Sequence, residues 1–130
     1  MLLRAHDLEV MIHLTFYRVR PGELGRLAAW LDEVGQRADE VRETFRREGV
    51  HHEQGYFLET ADGHVLVYAV ECGDYEAARE AFRTSLLPID VAHRTLMPEL
   101  TDGVLELDAA LDIQDEEPRN DHARTRSLPA

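Results

Sequence analysis

The chain contains no lysine; all of its 14 basic residues are arginine, against 26 Asp and Glu. The net charge of -12 at neutral pH excludes the broad positive surfaces that nucleic acid and anionic membranes require. A single cysteine, Cys72, excludes an internal disulfide and a multi-cysteine zinc site. No apolar run is long enough to cross a bilayer as a helix. Arg4, His6, Asp7 and Glu9 interrupt what would be a signal-peptide core, so the expected compartment is the cytoplasm. Phosphate loops, dinucleotide glycine fingerprints and serine elbows are all missing. Nothing in the motifs calls for a cofactor, and neither haem nor a metal is expected to be held stoichiometrically. The arginine-only, Ala- and Leu-rich composition has the coding bias of a GC-rich bacterial genome.

The pattern that is present is that of one folded domain. At 130 residues with 44% hydrophobic content, the chain can bury a core without staples. Residues 1–9 read as a leader, 10–113 as an α+β domain and 114–130 as a polar, disordered tail. Met11 is a second candidate start, because regular alternation begins there. Val10 to Tyr17 alternates with period two, a strand signature. Pro21 opens a helix in which Leu24, Leu27, Leu31, Val34, Val41 and Phe45 form one stripe, with Trp30 at its edge. This predicts a single long helix ending at Gly49, with Gly35 as its weak spot.

Strands over 50–60 and 64–72 flank Asp62-Gly63, a strong hairpin signal that pairs residues whose numbers sum to 125. Asp74 caps the next helix. A further helix runs from Pro88 to Met97, closed by Pro98. Alternation returns from Gly103 to Ile113 for a last strand. The order is β-α-β-β-α-β, the ferredoxin-like arrangement: a four-stranded antiparallel sheet with its helices on one face. The hairpin places Glu53, Phe57, Leu66, Tyr68 and Val70 on one side and Tyr56, Leu58, Val65 and Val67 on the other. Both sides are apolar, but helices can cover only one. A second copy of the chain is the simplest cover for the other, so a homodimer is expected.

Several segments together carry a resemblance. Arg18-Val-Arg-Pro-Gly-Glu23, Arg47-Glu-Gly-Val50, Glu53, Phe57-Leu-Glu59, the Tyr68 strand and Pro88-Ile-Asp-Val-Ala-His93 resemble a small, mostly bacterial family of unknown function of the dimeric α/β-barrel type, over residues 10–112. The resemblance implies a homodimer with two sheets face to face. The wider superfamily includes cofactor-free monooxygenases, cyclases, isomerases and haem-degrading enzymes, so the label implies fold and dimer more than chemistry.

Candidate site residues follow from chemistry placed on apolar faces. His93 shares a helical face with Ile89, Ala92 and Leu96. It reads either as a core histidine with one hydrogen bond, as a general acid/base, or as an axial ligand, with Asp90 in reach to fix its tautomer. Glu53 sits mid-strand among aromatic residues. It is either a strand-end group paired with Arg18 or a cavity carboxylate with a raised pKa. Tyr68 and His13, on neighbouring strands, are candidate orienting donors, and Phe57 and Arg18 candidate ligand contacts. His51 and His52 point to opposite faces and cannot grip one ion; a His13/Glu53/His93 metal set is conceivable, but no spacing requires it. Two functions follow. One is a small, partly apolar metabolite bound between the sheets, with cofactor-free acid/base chemistry. The other is a non-catalytic dimeric module with a filled barrel.

Overall fold

The computed structural model describes residues 10–115. Residues 1–9, read above as a leader, and 116–130 of the segment 114–130 read as a tail, lie outside the described residues. The elements are β1 (Met11–Val19), α1 (Leu24–Gln36), α2 (Ala38–Glu48), β2 (Val50–Thr60), β3 (Gly63–Cys72), α3 (Tyr75–Thr84), α4 (Pro88–Leu100) and β4 (Thr101–Leu107). The strands form one antiparallel sheet in the order β2-β3-β1-β4. This is the expected α+β, ferredoxin-like sheet; the second crossover has its two expected helices, and the first also consists of two rather than one. No helix among the described residues is long and apolar enough to cross a membrane.

The core lies between the helices and one sheet face. Leu66, Tyr68, Val70 and Cys72 alternate along β3 and pack with Leu27 and Trp30 of α1, Ala78 of α3, and Ile89, Met97 and Leu100 of α4. Leu27, Leu66, Leu100 and Cys72 lose essentially all their accessible surface. Each fully buried aliphatic side chain contributes about 1.5–3 kcal/mol of transfer free energy.

Four boundaries differ from the sequence pattern. The long helix breaks at Arg37, whose φ of -105° and ψ of 35° leave the helical region. The break falls two residues after Gly35, and the Arg37 guanidinium straddles the joint, bonding Glu33 at 2.9 Å and Glu40 at 2.8 Å. The apolar stripe persists through the break, so periodicity alone could not register it.

The hairpin pairs Thr60 with Gly63 and Phe57 with Leu66, so partners sum to 123 rather than 125. The turn is Ala61-Asp62, and Gly63 takes the left-handed φ of 123° at the strand entry. The Thr60 hydroxyl ties the turn, accepting the Asp62 N–H at 3.1 Å and donating to the Gly63 carbonyl at 2.7 Å. Because the partner moves by two, every residue keeps its face.

Helix α4 runs through Pro98 to Leu100. The proline removes only its own N–H. The last turn is closed by the Thr101 N–H on the Met97 carbonyl, and Arg20 donates to the Pro98 carbonyl at 3.1 and 3.2 Å. Strand β4 starts at Thr101 and stops at Leu107 rather than running from Gly103 to Ile113. Among the described residues its partner is β1, and Leu14↔Leu107 is the last pair although β1 itself continues to Met11, so the alternation beyond Leu107 is left unpaired. Leu111 and Ile113 are accordingly exposed.

Candidate functional site

A cavity of about 780 Å³ opens between the helices and the sheet of a single chain. The hollow lies on the helix-covered face, whereas the expected location between two sheets belongs to a pair of chains. Its size is that of a site for a small organic molecule. The sheet supplies Thr15 and Tyr17 from β1, Glu53 from β2, and Tyr68 and Val70 from β3. The helices supply Thr44, Phe45 and Glu48 from α2, Phe82 from α3, and Ile89, Asp90, His93 and Met97 from α4.

His93 is held by Trp30. The indole Nε1–H donates to His93 Nδ1 at 2.8 Å. That bond makes Nδ1 an acceptor, so the neutral ring carries its proton on Nε2. Burial pushes the imidazolium down to a pKa of about 4, against a weaker upward pull from Asp90. At neutral pH His93 is therefore an uncharged donor. Phe82 meets it edge-on at 5.7 Å between centroids, and Tyr68 stands at 6.2 Å. The expected Asp90–His93 tautomer lock is replaced by this indole bond. Asp90, itself buried, instead accepts from Thr44 Oγ1 at 2.6 Å.

Glu53 stands opposite Val70, and a shift of register between Val50 and His52 brings Val50 and Glu53 onto the same, helix-covered side. It is exposed in surface area because it faces the open hollow, yet protein surrounds it. Desolvation by that surrounding mass, and then the Asp90 charge, pushes its carboxyl up to about 7. Water reaching it through the open side weakens this shift without reversing it. Arg18 does not neutralise it: the guanidinium pairs with Asp102 at 3.2 Å on the opposite side of the sheet.

Glu48 shares this environment. Burial and then Asp90 raise it to about 7, with the Thr44 hydroxyl at 3.2 Å pulling the other way. Tyr68 is nine-tenths buried, and desolvation, then Glu53, raises its phenol well above the ordinary range. Tyr17 packs edge-on against Tyr68 at 5.7 Å and is pushed up to about 12, chiefly by burial.

Of the residues picked from sequence, Glu53, Tyr68 and His93 line one cavity. His13, Phe57 and Arg18 do not. His13 stacks on Tyr75 at 4.3 Å, and its Nε2 is buried without a hydrogen bond. Phe57 lies on the helix-covered side but nearer the hairpin and is 41% exposed. Among the described residues, no group of three His, Cys, Asp or Glu side chains is placed to hold a metal ion.

Sequence reasoning missed Trp30's role, Thr44 and Glu48. Each left a signal. A buried indole N–H needs an acceptor. A glutamate in the last turn of a helix opposes the helix dipole, an unfavourable placement that calls for a reason.

Comparison with known proteins gives the family and the fold. No curated protein matches the chain in sequence. Among solved structures, Rv0793 from Mycobacterium tuberculosis is 26% identical, covers 80% of this chain and 97% of its own, and superposes with a TM-score of 0.51. A putative antibiotic biosynthesis monooxygenase from Bacteroides thetaiotaomicron is 18% identical over 85% of this chain and 96% of its own, with a TM-score of 0.52. A variant of SnoaB, a cofactor-independent oxygenase from Streptomyces nogalater, is 15% identical over 80% and 96%, with a TM-score of 0.51. The last two likenesses are of fold. Residues 10–119 match the family of unknown function DUF6176, and the chain belongs to that family.

Proposed function

We propose that the cavity binds a small, partly apolar metabolite and that Glu53 and His93 move or polarise a proton on it without a cofactor. The observation that carries this reading is one apolar-walled cavity lined by a carboxyl raised to about 7 and an imidazole lowered to about 4. A base whose pKa lies near the working pH combines proton affinity with availability. The ionised Glu53 takes a proton from an enolisable carbon or a phenol. The Nε2–H of His93 and the Tyr68 hydroxyl donate to the oxygen on which negative charge develops. This is chemistry of the isomerase, cyclase or monooxygenase type. That a cofactor-independent oxygenase shares the fold is compatible with it. The filled-barrel alternative is less favoured, because the hollow is open and both titratable groups reach it.

The unit is a homodimer joined through the helix-free sheet face. On that face Ile12, Tyr56, Leu58 and Leu105 are 46–65% exposed in the single chain. Contiguous apolar surface of this kind marks an interface.

The test is a thermal-shift screen of the wild type, Glu53→Gln and His93→Ala against small phenols and enolisable ketones. Ligand-induced shifts should vanish in both variants while fold and dimer persist. Unchanged shifts in both would remove the site.

A further inference from the structure

The charges around the cavity are unevenly compensated. Two of its arginines are charge-paired, Arg79 with Glu106 at 2.8 Å and Arg83 with Glu80 at 2.6 Å, while Arg94 donates to the neutral Phe82 carbonyl at 2.7 Å and keeps its charge. Glu48, Glu53 and Asp90 line the same hollow, and none forms an ion pair with a described residue. Tyr68, nine-tenths buried, lines it too, and its hydroxyl bonds to no described residue.

A proton count sharpens this. Thr44 Oγ1 lies 2.6 Å from Asp90 Oδ2 and 3.2 Å from Glu48 Oε2. One hydroxyl proton serves one acceptor. If Thr44 donates to Asp90, the other contact is a hydrogen bond only when a protonated Glu48 donates to Thr44. A cation placed at this corner would satisfy the same carboxylate oxygens that otherwise need that proton.

We infer that the Glu48–Thr44–Asp90 corner recognises a protonated amine, so that the cavity's ligand is a partly apolar molecule carrying a basic nitrogen. This rests on the cavity being a ligand site, as proposed above, and adds the charge class of what it takes. An ammonium brings N–H donors to carboxylate oxygens and to the free Tyr68 oxygen, and the surrounding aromatic rings favour a cation over an anion. On binding, the amine keeps its proton, Glu48 releases one to solvent, and the corner exchanges one positive charge for another. An anionic ligand meets three carboxyl groups, against which Arg94 is the one lining arginine without a carboxylate partner among the described residues.

Other titratable groups face the corner. They are Glu53 from β2, Tyr68 and Cys72 from β3, Tyr17 from β1 and His93 from α4. On the α3 side stand Tyr75, Glu76 and Glu80 with Arg79 and Arg83, on the β4 side Glu106, and on α4 also Arg94. Glu53 titrates in the same range as Glu48, so proton release must be compared between variants rather than read from the wild type alone.

The probes are phenethylamine, its alcohol analogue and phenylacetate. Affinity is followed by NMR titration, and proton release by calorimetry in two buffers of unequal protonation enthalpy at about pH 6.5. The amine should bind on the order of tenfold or more tighter than the alcohol, release about one proton, and far outbind phenylacetate. Glu48→Gln should lose both the amine preference and the proton release while still binding the alcohol. Thr44→Val is the second variant, with the same expected loss, in case the first does not fold. Phenylacetate binding as tightly as the amine, or an amine preference that survives both variants, overturns the inference. Equal binding of amine and alcohol leaves the cavity a ligand site and removes its charge class. If none of the three binds, both readings fall.

Discussion

The two faces of the sheet solve opposite problems. The helix-covered face encloses a hollow and places carboxyls, phenols and an imidazole around it; the helix-free face presents Ile12, Tyr56, Leu58 and Leu105, with its charged Arg18 paired to Asp102 and Glu71 set opposite His52 in the register. Burying an apolar face against a second copy is favourable throughout, so that face needs only the right pattern. Enclosing ionisable groups costs free energy at each one. The covered face therefore carries chemistry at the expense of stability, and the bare face can recover some of that through association.

If this division holds, damage to the two faces should separate. A charge on the bare face is the harshest test. Val67 lies between Phe16 and Tyr56 in the sheet register. Val67→Asp should abolish the dimer, since an unpaired buried charge costs several kcal/mol. Light scattering should then report a monomer, while the wild type and His93→Ala stay dimeric. A monomeric wild type would break the comparison at once.

Next in size is the Trp30–His93 bond. Trp30→Phe keeps the aromatic packing but leaves Nδ1 without its donor, at a cost of about 1–3 kcal/mol in chemical denaturation. Nitrogen-15 NMR of the His93 ring should show the tautomer preference relax.

The titrating groups give a signed pH dependence. Glu53 is raised on folding from 4.5 to about 7, so the folded state holds its proton more tightly. Its stabilising contribution is full below about pH 4.5 and is lost as the pH rises through 7. His93 is lowered from 6.5 to about 4, so its contribution is present above 6.5 and is lost as the pH falls towards 4. Glu48, raised alike to about 7, is a second group whose contribution is lost as the pH rises, so the stability optimum should lie toward the acid end of this range, near 4.5. Glu53→Gln should stabilise at pH 8 relative to pH 5, by on the order of 1 kcal/mol once solvent screening of a water-accessible group is allowed for. Denaturation midpoints across pH check the sign, and a Glu53→Gln effect larger at pH 5 would contradict it.

The smallest effect tests the cavity floor. A Cβ at Gly55 would meet Tyr68 Cε1 at 3.2 Å. Gly55→Ala should cost about 1 kcal/mol and shift Tyr68, because β2 is an edge strand and can yield part of the way. Neither change should touch the dimer.

How legible this was in the sequence depended on the range of the interaction. Alternation and stripes placed every strand and both crossovers, because period two and period 3.6 are local consequences of burial. The break at Arg37 escaped, since the stripe continues on both sides of it. So did the end of β4, because alternation records a preference for burial and not where pairing stops. For the site, Glu53, Tyr68 and His93 stood out as polar groups on apolar faces. Trp30 as the histidine's anchor and Thr44 between Asp90 and Glu48 did not. These depend on α1 and α2 crossing α4 at particular side chains, 63 and 46 residues apart in the chain.

The most direct test of the central claim is the carboxyl carbon-13 NMR titration of Glu53 in the wild-type protein. A midpoint near 7, moving when Asp90 is replaced by Asn, is the result expected of a cavity carboxyl poised to take a proton. A midpoint near the ordinary value of 4.5 would mean that Glu53 is simply a solvated strand residue, and the account of the site would be wrong.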